Sequence, residues 1–355
     1  MAEKSLMKGN EALAEAAIRA GCKCFFGYPI TPQTEISAYL SKRMPKVGGV
    51  FLQAESEVAA INMVYGCAGS GIRCMTSSSS PGISLKTEGI SYIAGADLPC
   101  VIINVQRGGP GLGGIQPSQA DYWQVTHALG HGDFHALVFA PASVQEMVDT
   151  VTKAFDLADE YRMPAVILAD GLLGQMMEPV AFEDVEIKMS DASGKPWAAS
   201  GHGGKRKHTI INSLYLKPDE LENTVRERFA RYEDVKAKHT EAVCDYCDDA
   251  ETVVIAYGST ARLAKSAVEA ARKEGIKAGI VRPVTLWPFP VNEINEACKN
   301  AKNVLVVEMS MGQMVEDVKL ALNCSKPVEF YGRTGGIIPK PAEILAKIKE
   351  MGGKN

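Results

Sequence analysis

Short runs of Val, Ile and Leu alternate with helical patterns through most of the chain, and a Gly or Pro turn follows most of these runs. Strands that are apolar at every position need cover on both faces, and strands separated by helices pair in parallel. We therefore predict an α/β fold with a parallel sheet covered on both sides. Its predicted strands in the first half are residues 22–26, 50–53, 73–76, 101–105, 137–140 and 165–169.

The helices between these strands carry start and stop signals. Asn10 can cap a first helix and Gly21 can end it. A second helix runs to about Arg43, an Ala-rich helix covers about residues 56–68, and a long helix covers residues 143–161. Helix and strand thus alternate in chain order, as parallel pairing requires.

The alternation breaks between residues 181 and 250. Residues 190–208 are rich in Gly, Ser, His and Lys, and residues 219–240 are highly charged with a helical pattern. We interpret this segment as an irregular excursion followed by a solvated connecting helix. Alternation resumes at Thr252 and predicts a second, smaller α/β domain. The predicted division is residues 1–180, 181–250 and 251–355.

The composition of the chain excludes several classes of protein. The 355 residues are 46% hydrophobic and 23% charged, which is typical of a globular protein with a sizeable core. The 38 basic and 42 acidic residues give a net charge of −4, which argues against a nucleic-acid partner. No apolar run is long enough to span a membrane, and the first 21 residues lack an apolar signal core. We therefore expect a cytoplasmic protein without a membrane partner.

Two groups of side chains are weak candidates for a metal site. Cys244 and Cys247 form the only CxxC among nine cysteines, and a cluster or structural zinc usually takes four such ligands. His127, His131 and His135 are spaced four apart, but the glycines between them oppose the helix that would align them. We predict no metal bound by this chain alone.

Ligands of open parallel sheets bind at the carboxyl ends of the strands, so the loops that follow the strands carry the candidate chemistry. The first of these loops is GYPITPQTE, residues 27–35, where two prolines bracket Thr31. The hydroxyl of Thr31 is presented at a helix start. The alternative is that Thr31 only caps a helix beginning at Pro32.

The second loop, LQAESEVAAINMVYG, places Glu55 and Glu57 where a strand meets a helix. A carboxylate there is ordinarily stabilised by the helix dipole alone. The small apolar residues that follow, Val58–Ile61, let a flat ring approach closely, and such a carboxylate can share a proton with a heterocycle nitrogen.

Two further loops supply donors. TSSSSPGIS, residues 76–84, offers hydroxyl and backbone N–H groups at a helix start. NVQRGGPGLGGIQPSQ places Arg107 directly after a buried strand, where it can bind a carboxylate bidentately. Residues 109–114 match G-x-G-x-x-G, but Pro110 and Pro117 prevent the last glycine from opening a helix, so we discount a nicotinamide-binding site.

These four loops, in order, resemble the α subunit of 2-oxoacid:ferredoxin oxidoreductases. AYGSTARLAKSAV, VRPVTLWPFP, VEMSMGQMVEDV and FYGRTGG of the second half carry the same resemblance, which is greatest to the branched-chain (2-oxoisovalerate) type. It implies a thiamine-diphosphate-type pyrimidine-binding domain with a parallel sheet, followed by a transketolase-C-terminal-like domain.

The resemblance also implies that the thiamine diphosphate site is shared between chains. A β subunit would carry the diphosphate and Mg²⁺ half-site and an iron–sulfur cluster, with γ and ferredoxin-like δ subunits completing the complex. The reaction implied is the coenzyme A-dependent oxidative decarboxylation of a 2-oxoacid, in anaerobic metabolism, with ferredoxin as electron acceptor.

The roles of individual residues follow from the same resemblance. Glu57, rather than Glu55, would bond the aminopyrimidine ring and act as the catalytic acid–base group. Thr31 and Arg107 would bind the oxo-acid end and the carboxylate of the substrate. The expected cofactor-binding residues are Tyr28, Pro29, Ile30, Glu57, Ser79 and Ser80.

Three alternatives stay open on the sequence alone. The substrate can be 2-oxoglutarate or pyruvate instead of a branched-chain acid, because the walls of the substrate pocket are not readable from the sequence. The chain can be a non-catalytic scaffold that retains the loops structurally. A nicotinamide-dependent dehydrogenase is the third alternative.

Overall fold

The computed structural model describes residues 4–184 and 186–352. Within these residues it contains sheets of seven, five and two strands. The strands are β1 (Lys4–Lys8), β2 (Cys24–Gly27), β3 (Val50–Gln53), β4 (Cys74–Ser78), β5 (Cys100–Gln106), β6 (Leu137–Phe139), β7 (Pro164–Asp170), β8 (Met177–Ala181), β9 (Ala242–Asp245), β10 (Thr252–Ile255), β11 (Ala278–Pro283), β12 (Thr285–Trp287), β13 (Asn303–Glu308) and β14 (Val328–Gly332).

The helices alternate with these strands through both halves of the described chain. They are α1 (Gly9–Arg19), α2 (Thr34–Arg43), α3 (Glu57–Gly69), α4 (Pro81–Ser84), α5 (Thr87–Gly95), α6 (Tyr122–Thr126), α7 (Val144–Tyr161), α8 (Gly171–Gln175), α9 (Pro218–His239), α10 (Gly258–Lys273), α11 (Val291–Ala297), α12 (Met314–Ala321) and α13 (Pro341–Gly352), with a short 3₁₀ turn at Met44–Val47.

The predicted parallel sheet is confirmed. Its strand order is β12-β6-β7-β5-β4-β2-β3, and all pairs from β6 to β3 are parallel. Every residue of β5 and β7 is buried, because the central strands are apolar on both faces. Helices α1 and α7 pack on one another, as do α3 and α5. The doubly covered sheet fixes the positions of the loops at its carboxyl edge.

The second half forms the five-stranded sheet β14-β13-β10-β11-β9, in which only β9 is antiparallel among the described strands. The strand β12 leaves this half and pairs antiparallel with β6, at the edge of the first sheet. Hydrogen bonds join the two halves as well: Ser259 donates to Asp170, and Gln119 donates to the carbonyl of Tyr257 and accepts from Thr260. The two halves are therefore joined through buried polar groups.

The charged helix α9 departs from its predicted solvated state. Tyr232 and Val235 are buried, and Arg228 donates from Nε to Asp97 at 2.9 Å. Tyr232 also contacts Trp287 edge to face, with ring centroids 5.3 Å apart. One face of the helix is thus packed against the first half. This packing was not predicted, because the many charged residues of the segment indicated a solvated helix.

A buried carboxylate at the end of β13 holds the start of α12. The oxygens of Glu308 accept hydrogen bonds from the backbone N–H groups of Gln313, Met314 and Val315, and from the hydroxyl of Ser310. Burial raises the pKa of Glu308, and these donors act in the opposite direction. The carboxylate thus supplies acceptors to the first backbone N–H groups of the helix, which have no partner within the helix.

Replacing Glu308 with Ala is expected to lower the free energy of unfolding by about 3 kcal/mol, because three buried N–H groups lose their acceptor. Urea denaturation of the purified protein measures this change. The control is Glu316→Ala, an exposed carboxylate within α12 itself, which should change stability by less than about 0.5 kcal/mol. Equal effects of the two substitutions would contradict the capping role.

None of the described helices is both long and apolar enough to cross a bilayer.

Candidate active site

The four candidate loops meet at one edge of the first sheet. They follow β2, β3, β4 and β5, which are parallel neighbours, so their carboxyl ends point the same way. The sequence-based expectation that these loops share an edge is confirmed. The loop at residues 109–114 leads to no helix at its last glycine, since α6 begins at Tyr122. This geometry also lacks the helix N-terminus that a dinucleotide phosphate needs.

Glu57 is the first residue of α3, directly after the N-cap Ser56, whose hydroxyl accepts from the N–H of Ala59 at 3.1 Å. Glu57 is 7% exposed, whereas Glu55 is exposed to solvent. In the described part of the chain the Glu57 carboxylate makes no hydrogen bond or ion pair, and neither of its oxygens belongs to the fully buried atoms without a partner, so the oxygens keep some access to solvent. A buried carboxylate is normally hydrogen-bonded, so Glu57 is available to an outside donor.

Gly82 lies against Glu57 at the start of α4. A Cβ atom at this position would collide with the Ser78 hydroxyl and lie 2.9 Å from Oε1 of Glu57. The hydroxyls of Ser78 and Ser79 are buried without a hydrogen-bond partner among the described residues. The glycine therefore keeps a cradle open, and unsatisfied polar atoms line it.

Ser80 is held in a conformation that non-glycine residues rarely adopt, with φ of +31°. Its N–H donates to Asn104 Oδ1 at 3.2 Å, and its hydroxyl donates to Asp121 Oδ2 at 2.6 Å. Burial raises the pKa of Asp121, and the donors Ser80 and Asn104 act in the opposite direction. The hydroxyl also accepts from the N–H of Arg107 at 3.0 Å, so Ser80 joins the loops after β4 and β5.

Thr31 and Arg107 are brought together, although not through the threonine side chain. The Arg107 guanidinium, on a residue that is 7% exposed, donates from Nη1 to the carbonyl of Thr31 at 2.9 Å and from Nη2 to that of Leu112 at 3.1 Å. Its Nε is buried without a partner in the described structure. Three of the five guanidinium protons therefore remain for a ligand. The alternative role of Thr31 as a helix cap is wrong, because α2 begins at Thr34 after Gln33.

The loop that carries Tyr28, Pro29 and Ile30 is fastened to β4. The side chain of Gln33 donates to the carbonyl of Tyr28 at 3.4 Å and accepts from the hydroxyl of Ser77 at 2.5 Å. Tyr28 and Pro29 are exposed, and Ile30 is half-buried. The loop thus presents its side chains outward while its backbone is held in place.

Three residues at this edge of the sheet were not singled out individually in the sequence. They are Ser78, Gly82 and Lys86. Lys86 lies fully buried, and its ammonium donates to the hydroxyl of Thr76 at 2.9 Å. Burial lowers the pKa of Lys86 to about 8, and the charge of Glu57 acts in the opposite direction. The signal was present in the sequence, because Lys86 occupies a position of the helical apolar stripe.

The weak metal candidates do not assemble. No group of three His, Cys, Asp or Glu side chains within residues 4–184 and 186–352 is placed to hold a metal ion. His135 stacks on Trp287 with ring centroids 4.5 Å apart, and burial lowers its pKa to about 4. The imidazole therefore belongs to the contact between the two halves.

Several large apolar side chains remain exposed around this edge. A cluster of this kind beside unsatisfied buried polar atoms is typical of a surface that another molecule covers. The exposed side chains are Tyr28, Val58, Leu85, Leu112 and Ile115.

The fold and this edge define an α/β protein of the thiamine diphosphate-binding type. A family model described as pyruvate flavodoxin/ferredoxin oxidoreductase, thiamine diphosphate-binding, matches residues 15–258, and one described as pyruvate:ferredoxin oxidoreductase core domain II matches residues 250–344. The chain belongs to the 2-oxoacid:ferredoxin oxidoreductase family, as a subunit of these oxidoreductases.

Relatives in the same family match the chain from end to end. The ketoisovalerate oxidoreductase subunit VorB of Methanothermobacter thermautotrophicus is 48% identical over 98% of this chain and 98% of its own length. The 2-oxoglutarate synthase subunit KorA of Methanothermobacter marburgensis is 38% identical over 99% of this chain and its full length.

Solved structures share the fold. The 2-oxoglutarate:ferredoxin oxidoreductase of Magnetococcus marinus, determined with 2-oxoglutarate, coenzyme A and succinyl-CoA bound, superimposes with a TM-score of 0.87 at 27% identity. The match covers 98% of this chain and 65% of that chain, so the present chain spans less than two thirds of it. A split-gene transketolase gives a TM-score of 0.59 at 15% identity over 99% of this chain and 98% of that one, a likeness of fold alone.

The residues at this edge fit the ring half of thiamine diphosphate. A buried carboxylate without a donor suits a ring N–H, the unsatisfied Ser78 and Ser79 hydroxyls suit ring substituents, and Gly82 leaves room for a flat group. A diphosphate with Mg²⁺ needs several oxygen ligands together. Asp170, at the end of β7, does not provide such a ligand, because its carboxylate accepts hydrogen bonds from the N–H groups of Leu172 and Leu173 and from the hydroxyl of Ser259.

Proposed function

We propose that this chain is the α-type subunit of a branched-chain 2-oxoacid:ferredoxin oxidoreductase and supplies the pyrimidine half of a shared thiamine diphosphate site. The complex would oxidise 2-oxoisovalerate and related acids to acyl-CoA and CO₂ and reduce ferredoxin. The buried, unbonded carboxylate of Glu57 beside Gly82 carries the assignment of the site. The 48% identity to a ketoisovalerate oxidoreductase subunit supports the choice of substrate.

Thiamine diphosphate, when bound, supplies the carbanion that attacks the oxo carbon. In the proposal, Glu57 accepts a hydrogen bond from the aminopyrimidine ring and holds or moves the proton at its carboxylate. Ser79 and the loop of Tyr28, Pro29 and Ile30 orient the ring, and Ser80 fixes the loop after β4 against the loop after β5.

Arg107 and Thr31 form the substrate end of the proposed site. The remaining guanidinium protons of Arg107 bind the carboxylate of the oxoacid, and charge-assisted bonds of this type are the stronger ones. Thr31 is exposed, and its backbone is anchored by the same guanidinium, so its hydroxyl is held where it can donate to the oxo group.

Partner chains complete the proposed enzyme. A β subunit that brings the diphosphate and Mg²⁺ half-site and a cluster would cover the exposed apolar side chains at this edge. We place γ and ferredoxin-like δ subunits in the same cytoplasmic complex, coenzyme A as co-substrate and ferredoxin as acceptor. The relatives are named as subunits, one of a ketoisovalerate oxidoreductase and one of a 2-oxoglutarate synthase, which supports a multi-chain assembly.

The substrate is tested on the complex purified anaerobically with its partner subunits. We expect kcat/KM for 2-oxoisovalerate to exceed that for pyruvate by at least about tenfold, because each buried methyl group contributes roughly 1–3 kcal/mol to discrimination in an apolar pocket. Viologen reduction with coenzyme A present measures the rates. The relative named for 2-oxoglutarate, at 38% identity, makes that acid the second candidate.

A preference for 2-oxoglutarate would overturn the branched-chain assignment and leave the family intact. Absence of thiamine diphosphate from an intact complex would overturn the proposed site itself.

A further inference from the structure

Lys86 is a fully buried lysine at the candidate site, and such residues are rare unless paired. It precedes α5 as its N-cap. Its one hydrogen bond in the described structure goes to Thr76, although an ammonium carries three donors. A single neutral acceptor does not offset the removal of a charge from water.

The packing of two helices places Lys86 beside Glu57. Helix α5 lies against α3, and a Cβ atom at Gly89 would be 2.9 Å from Cγ1 of Ile61. Gly89 follows Lys86 by three residues, and Ile61 follows Glu57 by one helical turn, so the starts of the two helices adjoin. Glu57 is the charged group that acts on Lys86 from the described elements packed around it, and β4 contributes the neutral Thr76.

A purely structural reason for Lys86 is weak. Ile83 in α4 and Ile90 and Ile93 in α5, which have helical spacing from Lys86 in the sequence, are apolar and fully buried. A methionine in place of Lys86 would fill nearly the same volume without burying a charge. The cost of the buried ammonium therefore points to a role in the site, as for buried ionisable groups elsewhere.

We propose that Lys86 is the buried counter-charge of Glu57, a positioning residue that allows a neutral heteroaromatic ring to be laid over that carboxylate. When Lys86 and Glu57 are both charged, their charges cancel, so a ring that covers Glu57 does not bury an uncompensated charge. Without Lys86, the ring must seal a lone carboxylate away from water. The inference rests on the proposed function, since the ring is that of thiamine diphosphate.

The test is the affinity of the assembled, cofactor-depleted complex for thiamine diphosphate at saturating Mg²⁺. Lys86→Met should raise the dissociation constant at pH 7 by about ten- to a hundredfold, because the carboxylate that the ring covers would lose its compensating charge. The matched control is Lys273→Met, an exposed lysine at the end of α10, which should leave the constant within about twofold of wild type.

A double-mutant cycle with Glu57→Gln isolates the coupling. In the Glu57→Gln background no carboxylate needs compensation, so adding Lys86→Met should change the dissociation constant by less than about threefold. Effects that simply multiply, with Lys86→Met weakening binding as much in either background, would overturn the proposal.

The melting temperature of the Lys86→Met complex gives a second test. If Lys86 only stabilised the fold, its removal would lower the melting temperature, whereas the proposal predicts a rise. The folded-state pKa of about 8 lies below the ordinary 10.5, so the buried ammonium destabilises the fold below pH 8 and this cost disappears as pH rises towards 10.5. The cofactor-free Lys86→Met complex should therefore melt about 3 °C above wild type at pH 7. Wild-type affinity should fall as pH rises through about 8, and the variant should lack this step.

Lys86→Gln, which keeps a donor for Thr76, provides a second variant and should weaken binding in the same way. If both variants melt well below wild type and bind the cofactor normally, Lys86 is structural and the proposal is wrong. If the wild-type complex itself binds no thiamine diphosphate, the proposed function fails instead, so the two failures are distinguishable.

Discussion

Replacing Glu57 with Gln is expected to lower the turnover of the assembled complex by about 10²–10⁴-fold, the range of general acid–base contributions. The introduced amide would keep the volume of the side chain at the start of α3 and its position beside Gly82. It would lose the ability to hold a proton for the ring. Because the native carboxylate has no hydrogen-bond partner among the described residues, the substitution breaks no bond within the chain.

Anaerobic viologen reduction with saturating 2-oxoacid and coenzyme A measures this loss, and melting temperature verifies that the variant is folded. Glu55→Gln is a matched control, two residues away and exposed, and should retain turnover within about twofold of wild type. The pair separates the two carboxylates that the sequence placed at the same strand-to-helix junction.

Near-normal turnover of a folded Glu57→Gln complex that contains thiamine diphosphate and clusters would favour the scaffold alternative. In that case the loops would be retained for stability, and catalysis would rest on the partner chains. Equal losses in the Glu55 and Glu57 variants would instead indicate a general electrostatic effect at the edge of the sheet.

The main sheet was predictable because its strands are local and strongly patterned. The strands β5 and β7 are apolar at nearly every position, and α7 carries its own cap, Ser143, so pattern and structure agree within one or two residues. The direction of the strands followed from the helices between them. That direction alone brings the four loops to one edge, which is why the location of the site was also predictable.

The strands that were not predicted depend on distant partners. The segment Lys4–Lys8 is a strand only because it pairs with Met177–Ala181, and Thr285–Trp287 is a strand because it pairs with β6 of the other half. Short edge segments lack a pattern of their own, since their pairing is decided by tertiary context. The same holds for Ala242–Asp245, which pairs with β11.

The candidate site shows a similar division. The loop positions of Glu57, Ser80 and Arg107 were readable, because each lies in a segment that follows a strand. Their hydrogen-bond partners could not be predicted. The guanidinium of Arg107 binds two backbone carbonyls, and because every residue has a carbonyl, the sequence does not indicate which ones are bound. The burial of Lys86 was readable in principle from the helical spacing of the neighbouring isoleucines, but solvated lysines are so common that pattern alone favours exposure.

Replacing Arg107 with Ala is expected to raise KM for the 2-oxoacid by about ten- to a hundredfold, since a buried charge-assisted contact to a carboxylate is lost. The structure adds a second expected effect. Because the guanidinium also binds the carbonyls of Thr31 and Leu112, its removal frees both loops, and kcat should fall by a smaller factor of about three- to tenfold. Steady-state kinetics over a wide range of oxoacid concentration separates the two effects.

Arg107→Lys distinguishes charge from geometry, because a lysine keeps the charge but cannot reach two carbonyls and a carboxylate in one plane. It should recover less than half of the lost binding free energy. A KM unchanged in Arg107→Ala, together with a lower melting temperature, would show that Arg107 does not bind the substrate carboxylate. Its role would then be only to hold the two loops together. Since the buried Nε has no partner among the described residues, we expect the substrate carboxylate to accept its hydrogen bond.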